Sequence, residues 1–248
     1  MNKIKDLQKN LKLSFPTLSI NSIDFIISSL IKDDSIFSDD NFFEWLKKLN
    51  QKVTFKTEFI SIKQIANWEL DRNNNLHHIS KKFFSIIGLS IKAQFKDKIY
   101  EWKQPIINQA EIGFLGFLCQ KKNGVLFFLM QGKIEPGNVN KIQLSPTLQA
   151  TKSNFTQVHG GTPPPFLDYF KNQMEGKTVL VDQLQSEQGA RFLRKRNRNM
   201  IVKIEEQIEI DTPENFCWLT IKQIKMLLKY PNLVNMDTRT VLSTIQII

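Results

Sequence analysis

Three polar clusters carry the residue types that could bind and transform a ligand. The first, Thr151-Lys152-Ser153-Asn154-Phe155, joins hydroxyls, an amide and a cation suited to a diphosphate with a ring able to stack on a base or sugar. It sits in a stretch from Lys133 to Gly161 that is dense in Asn, Gln, Ser and Thr and leaves directly from the most apolar run of the chain. Loops beside buried strands are where rigid scaffolds carry function, although the same composition also describes a plain surface loop. The second cluster runs from Gln185 to Asn199 and places five cations, among them Arg194 and Arg196, between Arg191 and Arg198, with Asn197 interleaved. Arginine binds phosphate with bidentate geometry. A solvated charge run and an RNA-binding patch are the competing readings. In the third cluster, Asn235 to Thr240, Asp237 and Arg239 could cap a helix and pair locally.

Groups able to move a proton near these clusters are Glu111, Glu135, His159, Asp182 and Glu187. Positioned general acids and bases contribute roughly 10²- to 10⁴-fold to a rate, and only within reach of the proton. The familiar catalytic signatures are missing: no Gly-x-Ser-x-Gly elbow, no His-Glu-x-x-His, no dinucleotide fingerprint. Gly176-Lys177-Thr178 lacks the Walker spacing and reads as a turn into a strand. His77 and His78 are adjacent, so their side chains diverge, and no third ligand accompanies them. No metal and no cofactor are expected.

The elements that must position these groups follow from periodicity. Residues 19–50 hold two helices, the second capped at Ser38 and carrying Phe42, Phe43, Trp45, Leu46 and Leu49. Val53 to Phe59 alternates as a half-buried strand does, and Phe83 to Ile91 reads as another. Ile112 to Cys119 and Val125 to Gln131 flank an Asn-Gly pair, which predicts a hairpin at the centre of a sheet. A short helix over Phe166 to Met174, strands over Thr178–Leu184 and Met200–Ile204, a helix over Trp218 to Tyr230 and a last one capped by Asp237 complete the outline. Strands in the middle with helices at both ends give an α+β class.

A hydrophobic fraction of 41% with 19 Phe in 248 residues is ample for a core. The net charge of +10 raises polyanions as partners, but the lysines are scattered and decide nothing alone. Cys119 and Cys217 lie in apolar contexts as buried free thiols, which fits a reducing compartment. No apolar h-region follows Met1, and no apolar run is long enough to cross a bilayer, so a cytoplasmic protein with no membrane or nucleic-acid role is expected.

Longer motifs then point to a family. Gln104-Pro-Ile-Ile, Glu111-Ile-Gly-Phe-Leu-Gly116, Glu135-Pro-Gly-Asn-Val-Asn and Gln143-Leu-Ser-Pro-Thr resemble the NDP-hexose 2,3-dehydratases. So do Gln149-Ala-Thr-Lys-Ser-Asn, Gln185-Ser-Glu-Gln-Gly, Arg194-Lys-Arg-Asn-Arg-Asn-Met200 and Asn235-Met-Asp-Thr-Arg-Thr-Val-Leu-Ser243. The resemblance implies a Nudix-like mixed sheet flanked by helices over residues 51–248, to which the apolar spacing before it adds a helical extension over 1–50. It implies a lyase that removes water across C2 and C3 of an NDP-4-keto-6-deoxyhexose, the dTDP-glucose derivative above all, in deoxysugar biosynthesis. Carried over, it implies substrate contacts from Trp68 and from Thr151, Lys152, Ser153, Asn154 and Phe155, to which the chemistry of the second cluster adds Arg194, Arg196 and Asn197 as substrate-binding candidates. Glu187 or His159 would be the base. The family shows Tyr where this chain has Phe155, and usually Arg where it has Lys152, so the phenolic donor of the family pattern is missing here. Members usually carry two related halves in tandem, and this chain resembles one half. The expectation is therefore a homodimer or pairing with a second half-subunit. A non-catalytic nucleotide-sugar-binding half is the alternative.

Overall fold

The computed structural model describes residues 2–34, 37–151 and 163–247. Its centre is a hairpin of β5 (Gly113–Lys122) and β6 (Val125–Lys133). Asn123 and Gly124 make the turn with φ of 51° and 83°, the left-handed pair that a two-residue hairpin demands. Both strands are apolar on both faces, so they cannot lie at a surface. Phe117, Cys119, Phe128 and Met130 belong to one core, and Leu118, Phe127, Leu129 and Val125 to the other.

Around this hairpin a seven-stranded mixed sheet is ordered β11-β6-β5-β10-β9, where β9 is Lys177–Ser186, β10 Arg196–Ile204 and β11 Phe216–Leu219. Two short strands, β7 (Gln143–Pro146) and β8 (Leu148–Ala150), add to β6 and β5 respectively. β10 runs parallel to β5 and the other pairings are antiparallel. Thr147 joins these pieces: its hydroxyl accepts from the Leu118 N–H at 2.8 Å and donates to the Leu129 carbonyl at 2.5 Å. A second, four-stranded antiparallel sheet comprises β1 (Trp68–Leu70), β2 (Leu76–His78), β3 (Ser85–Phe95) and β4 (Lys98–Asn108). It meets the first where Ile107 exchanges backbone hydrogen bonds with Arg191 and Leu193.

The N-terminal residues form α1 (Asn2–Ser14), α2 (Ile20–Leu30) and α3 (Asp39–Lys52). Ser19 and Ser38 cap α2 and α3 through their hydroxyls. These helices share the same core as the sheet, since Ile27 and Phe42 are buried against it. The Ser28 hydroxyl donates to the Leu126 carbonyl at 2.6 Å and accepts the Ile221 N–H at 3.0 Å, tying α2 to β6 and to α5 (Ile221–Leu227). A short helix α4 (Leu167–Lys171) lays Phe170 on β5, where Gly116 leaves room that a Cβ would fill 2.2 Å from the ring.

Two expected elements differ. Residues 53–59 run on from α3 without a partner strand, and Phe59 is fully exposed, because alternation alone makes no strand without an edge to pair with. The segment expected as a helix from Trp218 begins instead as β11, whose Phe216 to Leu219 pair with Phe128 to Gln131. Thr220 and Gln223 then form a capping box that starts α5 two residues later. A free edge on β6 overrode helical spacing there. Both cysteines are buried, and burial pushes their thiols well up. Among the described residues no helix is long and apolar enough to cross a membrane.

Candidate active site

The parallel pair β5 and β10 starts at one end of the sheet, with Asn197 opposite Gly113. At that same end β9 has just finished at Ser186, β6 reaches Lys133, β8 ends at Ala150, and α6 (Met236–Leu242) begins. A cleft of about 230 Å³ opens between them, lined by Lys133, Glu135, Gln149, Glu187, Lys195, Asn197 and Asp237, with Thr151 at its edge.

Each polar group is held. The Glu187 carboxylate accepts from the Asn197 side-chain amide at 2.5 Å, and its N–H donates to the Lys195 carbonyl at 2.9 Å. Asn197 has the space to do so because Gly113 lacks a Cβ, which would stand 2.9 Å from the amide oxygen. Lys195 is buried and donates from Nζ to the Glu111 carbonyl. Burial lowers its affinity for a proton, against the opposing pull of Glu111 and Glu187. On the other wall Gln149 donates to Glu135 at 2.8 Å and accepts from the Asn235 amide at 3.2 Å, while Lys133 stands 3.4 Å from Glu135.

Asp237 has no side-chain hydrogen bond of its own among those described. Desolvation, then the charges of Glu187 and Glu135, push its carboxyl up to about 6, with Lys133 opposing. A carboxyl raised toward neutrality beside two further carboxylates is an arrangement suited to proton transfer. The expected capping role falls to Asn235, whose side chain accepts from the Thr238 N–H at 2.9 Å. That leaves Asp237, two residues further on, facing the cleft.

The structure brings together Glu187, Asn197 and Thr151 from the sequence expectations. Arg194 and Arg196 are exposed and lie outside the cleft lining: Arg196 opens β10 and points away from Asn197, while Arg194 stands before the strand with a left-handed φ of 50° beside the buried Lys195. Asp182 is bound from both sides by the Arg198 guanidinium, which holds its carboxyl below the usual range and away from proton transfer. Trp68 packs on Phe84 at 4.9 Å and on His78 at 5.7 Å in the four-stranded sheet, outside the lining. Lys152, Ser153, Asn154, Phe155 and His159 lie outside the described residues. Sequence reasoning passed over Lys195 and the cleft-facing role of Asp237. Extending the Met200 strand back to Arg196 would have put Asn197 on the face opposite Arg196, whereas Lys195 precedes the strand and carries no such signal.

The family model for NDP-hexose 2,3-dehydratase matches residues 39–245, which include every residue of this cleft. The chain belongs to the NDP-hexose 2,3-dehydratase family. A dTDP-4-dehydro-6-deoxy-alpha-D-glucopyranose 2,3-dehydratase of Saccharopolyspora spinosa is 46% identical over 231 residues, covering 93% of this chain and 47% of that protein. Enzymes of the same name from Amycolatopsis orientalis and Streptomyces violaceoruber are each 43% identical, over 80% and 82% of this dehydratase-family chain and 43% and 45% of their own length. The chain thus spans about half the length of the curated relatives it matches. Among solved structures, the Nudix hydrolase RenU of M. smegmatis matches with a TM-score of 0.36 at 13% identity, over 58% of this chain and 92% of that one. An ADP compounds hydrolase matches with a TM-score of 0.37 at 11% identity, over 64% and 83%. At such TM-scores the α+β class rests on the chain's own strand pairing.

Proposed function

We propose that this chain removes water across C2 and C3 of an NDP-4-keto-6-deoxyhexose, with dTDP as the nucleotide, in the cleft at the head of β5 and β10. The observation that carries the reading is the meeting there of Glu187, Asp237 and Lys195, three groups of the kinds the reaction needs. The C4 ketone acidifies the C3 hydrogen. A carboxylate takes that proton, the electron pair moves into an enolate, and the enolate forms the C2–C3 double bond as the C2–O bond breaks. The hydroxyl leaves as water once it receives a proton. Lys195 supplies a fixed cation for the enolate oxygen, and fixed donors in a site shielded from water are worth more than donors in bulk. Thr151 in the lining fits the expectation that the stretch it opens contacts the phosphates or the sugar.

A second reading is a nucleotide-sugar-binding half without turnover, favoured by the fact that the chain spans about half of its relatives' length. Its residence in the cytoplasm and its pairing with a second copy belong to the same proposal. Calorimetric titration with dTDP-4-keto-6-deoxyglucose tests the location. Saturable binding to the wild type that weakens at least tenfold in Lys195→Met and Asn197→Leu supports the cleft. Binding unchanged in both variants would place the ligand elsewhere.

A further inference from the structure

Resting on that reading, we infer that the two proton transfers are divided between two carboxylates, Glu187 taking the C3 proton as base and Asp237 giving a proton to the departing C2 hydroxyl as acid, with Gln149 as a positioning residue. The direction of the hydrogen bonds assigns these roles. Asn235 must present its oxygen to the Thr238 N–H, because a backbone amide can only donate. Its nitrogen therefore faces Gln149, whose oxygen accepts it. The Gln149 nitrogen is then left to donate, and it donates to Glu135. No member of this chain can turn round without leaving a donor facing a donor. Glu135 is thus fixed as an acceptor, with the Lys133 ammonium 3.4 Å away. Glu187 is an acceptor as well, receiving the Asn197 amide, with Lys195 close by.

Asp237 receives neither an amide nor an ion pair among the described contacts, and it faces Glu187 and Glu135 with Lys133 as the nearby cation. Three carboxylates in one cleft resist losing all their protons, and the one without donors keeps its own longest. Glu187, held as an acceptor by Asn197, is suited to take a proton, and Asp237, whose carboxyl is raised and meets no donor among the described contacts, is suited to give one. In the elimination the C3–H bond breaks toward Glu187 and the C2–O bond breaks with the Asp237 proton following the oxygen. The products are the unsaturated sugar and water, with Glu187 protonated and Asp237 ionised until they re-equilibrate with solvent. Gln149 joins the cap of α6, which carries Asp237, to Glu135, whose charge keeps that proton in place.

Two variants separate the steps, with dTDP-4-keto-6-deoxyglucose in D₂O as the probe. In Asp237→Asn, exchange of the C3 hydrogen for deuterium should persist within tenfold of the wild type while loss of the C2 hydroxyl falls roughly 10²- to 10⁴-fold. In Glu187→Gln both exchange and elimination should fall together. Loss of exchange in Asp237→Asn with its retention in Glu187→Gln would reverse the roles, and equal loss of both processes in both variants would also overturn the division. Protonation order is read without turnover, by carbon NMR titration of the aspartate carboxyls with the Asp237 signal assigned by its absence in Asp237→Asn. That signal should titrate near 6, and lower in Glu135→Gln and in Gln149→Leu. An Asp237 that titrates in the ordinary carboxylate range overturns the inference even in an active enzyme. A wild type that binds the sugar but neither exchanges nor eliminates instead overturns the dehydratase reading and the catalytic roles with it, while the titration still decides which carboxyl holds the proton.

Discussion

Replacing Asp237 by Asn should stabilise the folded protein at neutral and alkaline pH, although it removes the group proposed as the acid. The carboxyl is raised from 3.8 to about 6 in the fold, by desolvation first and by Glu187 and Glu135 next. Between those two values the native state holds a proton that the unfolded chain has lost, so stability falls as pH rises through that window. Above pH 6 the folded protein carries the full cost of an ionised Asp237. A difference of two pKa units corresponds to roughly 3 kcal/mol, and partial access to water reduces it to about 1–3 kcal/mol. Asparagine keeps the shape and never ionises, so it escapes that cost. For a protein of this size the expected rise in Tm at pH 8 is roughly 2–10 °C. The assay is urea or thermal unfolding of both proteins from pH 4 to pH 8. The gap should be widest at pH 8 and should close as pH falls through about 6 toward 4. A variant no more stable than wild type at pH 8, or a gap that widens in acid, would refute the reasoning. Functional groups held against their own preference commonly show this trade between stability and activity.

The remaining expectations follow from single contacts. Gly113→Ala puts a Cβ 2.9 Å from the Asn197 amide oxygen and 3.2 Å from the Ala150 carbonyl, so Glu187 should lose its partner and turnover should fall on the order of 10²-fold in steady-state assays. Lys121→Met strands Asp24, which is buried and pairs with Lys121 at 2.7 Å, so urea unfolding should report a loss of about 3 kcal/mol or more. Thr147→Val leaves the Leu118 N–H and the Leu129 carbonyl without their shared hydroxyl, at a cost of about 1–3 kcal/mol read by the same method. With Asp237 acting as the acid, kcat/KM of the wild type should decline as pH rises past about 6, and that limb should vanish in the residual activity of Asp237→Asn.

Much of this fold was legible wherever a local signal had no competitor. Asn123-Gly124 between two apolar runs gave the central hairpin, and Ser38 before Asp39 gave the start of α3. Trp218 misled because apolar residues there satisfy helical spacing and strand pairing alike, and only the free edge of β6 decides between them. The site was legible in part. Glu187 and Asn197 stand in motifs long enough to be noticed, whereas Arg194 and Arg196 drew attention by charge and lie outside the cleft. Lys195 precedes β10, which begins at Arg196, so no strand period marks it, and its burial comes from the tertiary packing around it. Asp237 was hidden by its own plausibility as a helix cap. Asn235 takes that place, and what makes Asp237 distinctive is its two acidic neighbours, which arrive from distant parts of the chain.

The measurement that bears most directly on the account is turnover of dTDP-4-keto-6-deoxyglucose by the purified chain alone, followed by mass spectrometry for loss of one water and by proton NMR for the C2 and C3 signals. The account predicts enzyme-dependent loss of water, with the C2 hydrogen signal moving to the vinylic region, and its abolition in Glu187→Gln. A chain that binds this sugar tightly and returns it unchanged would contradict it.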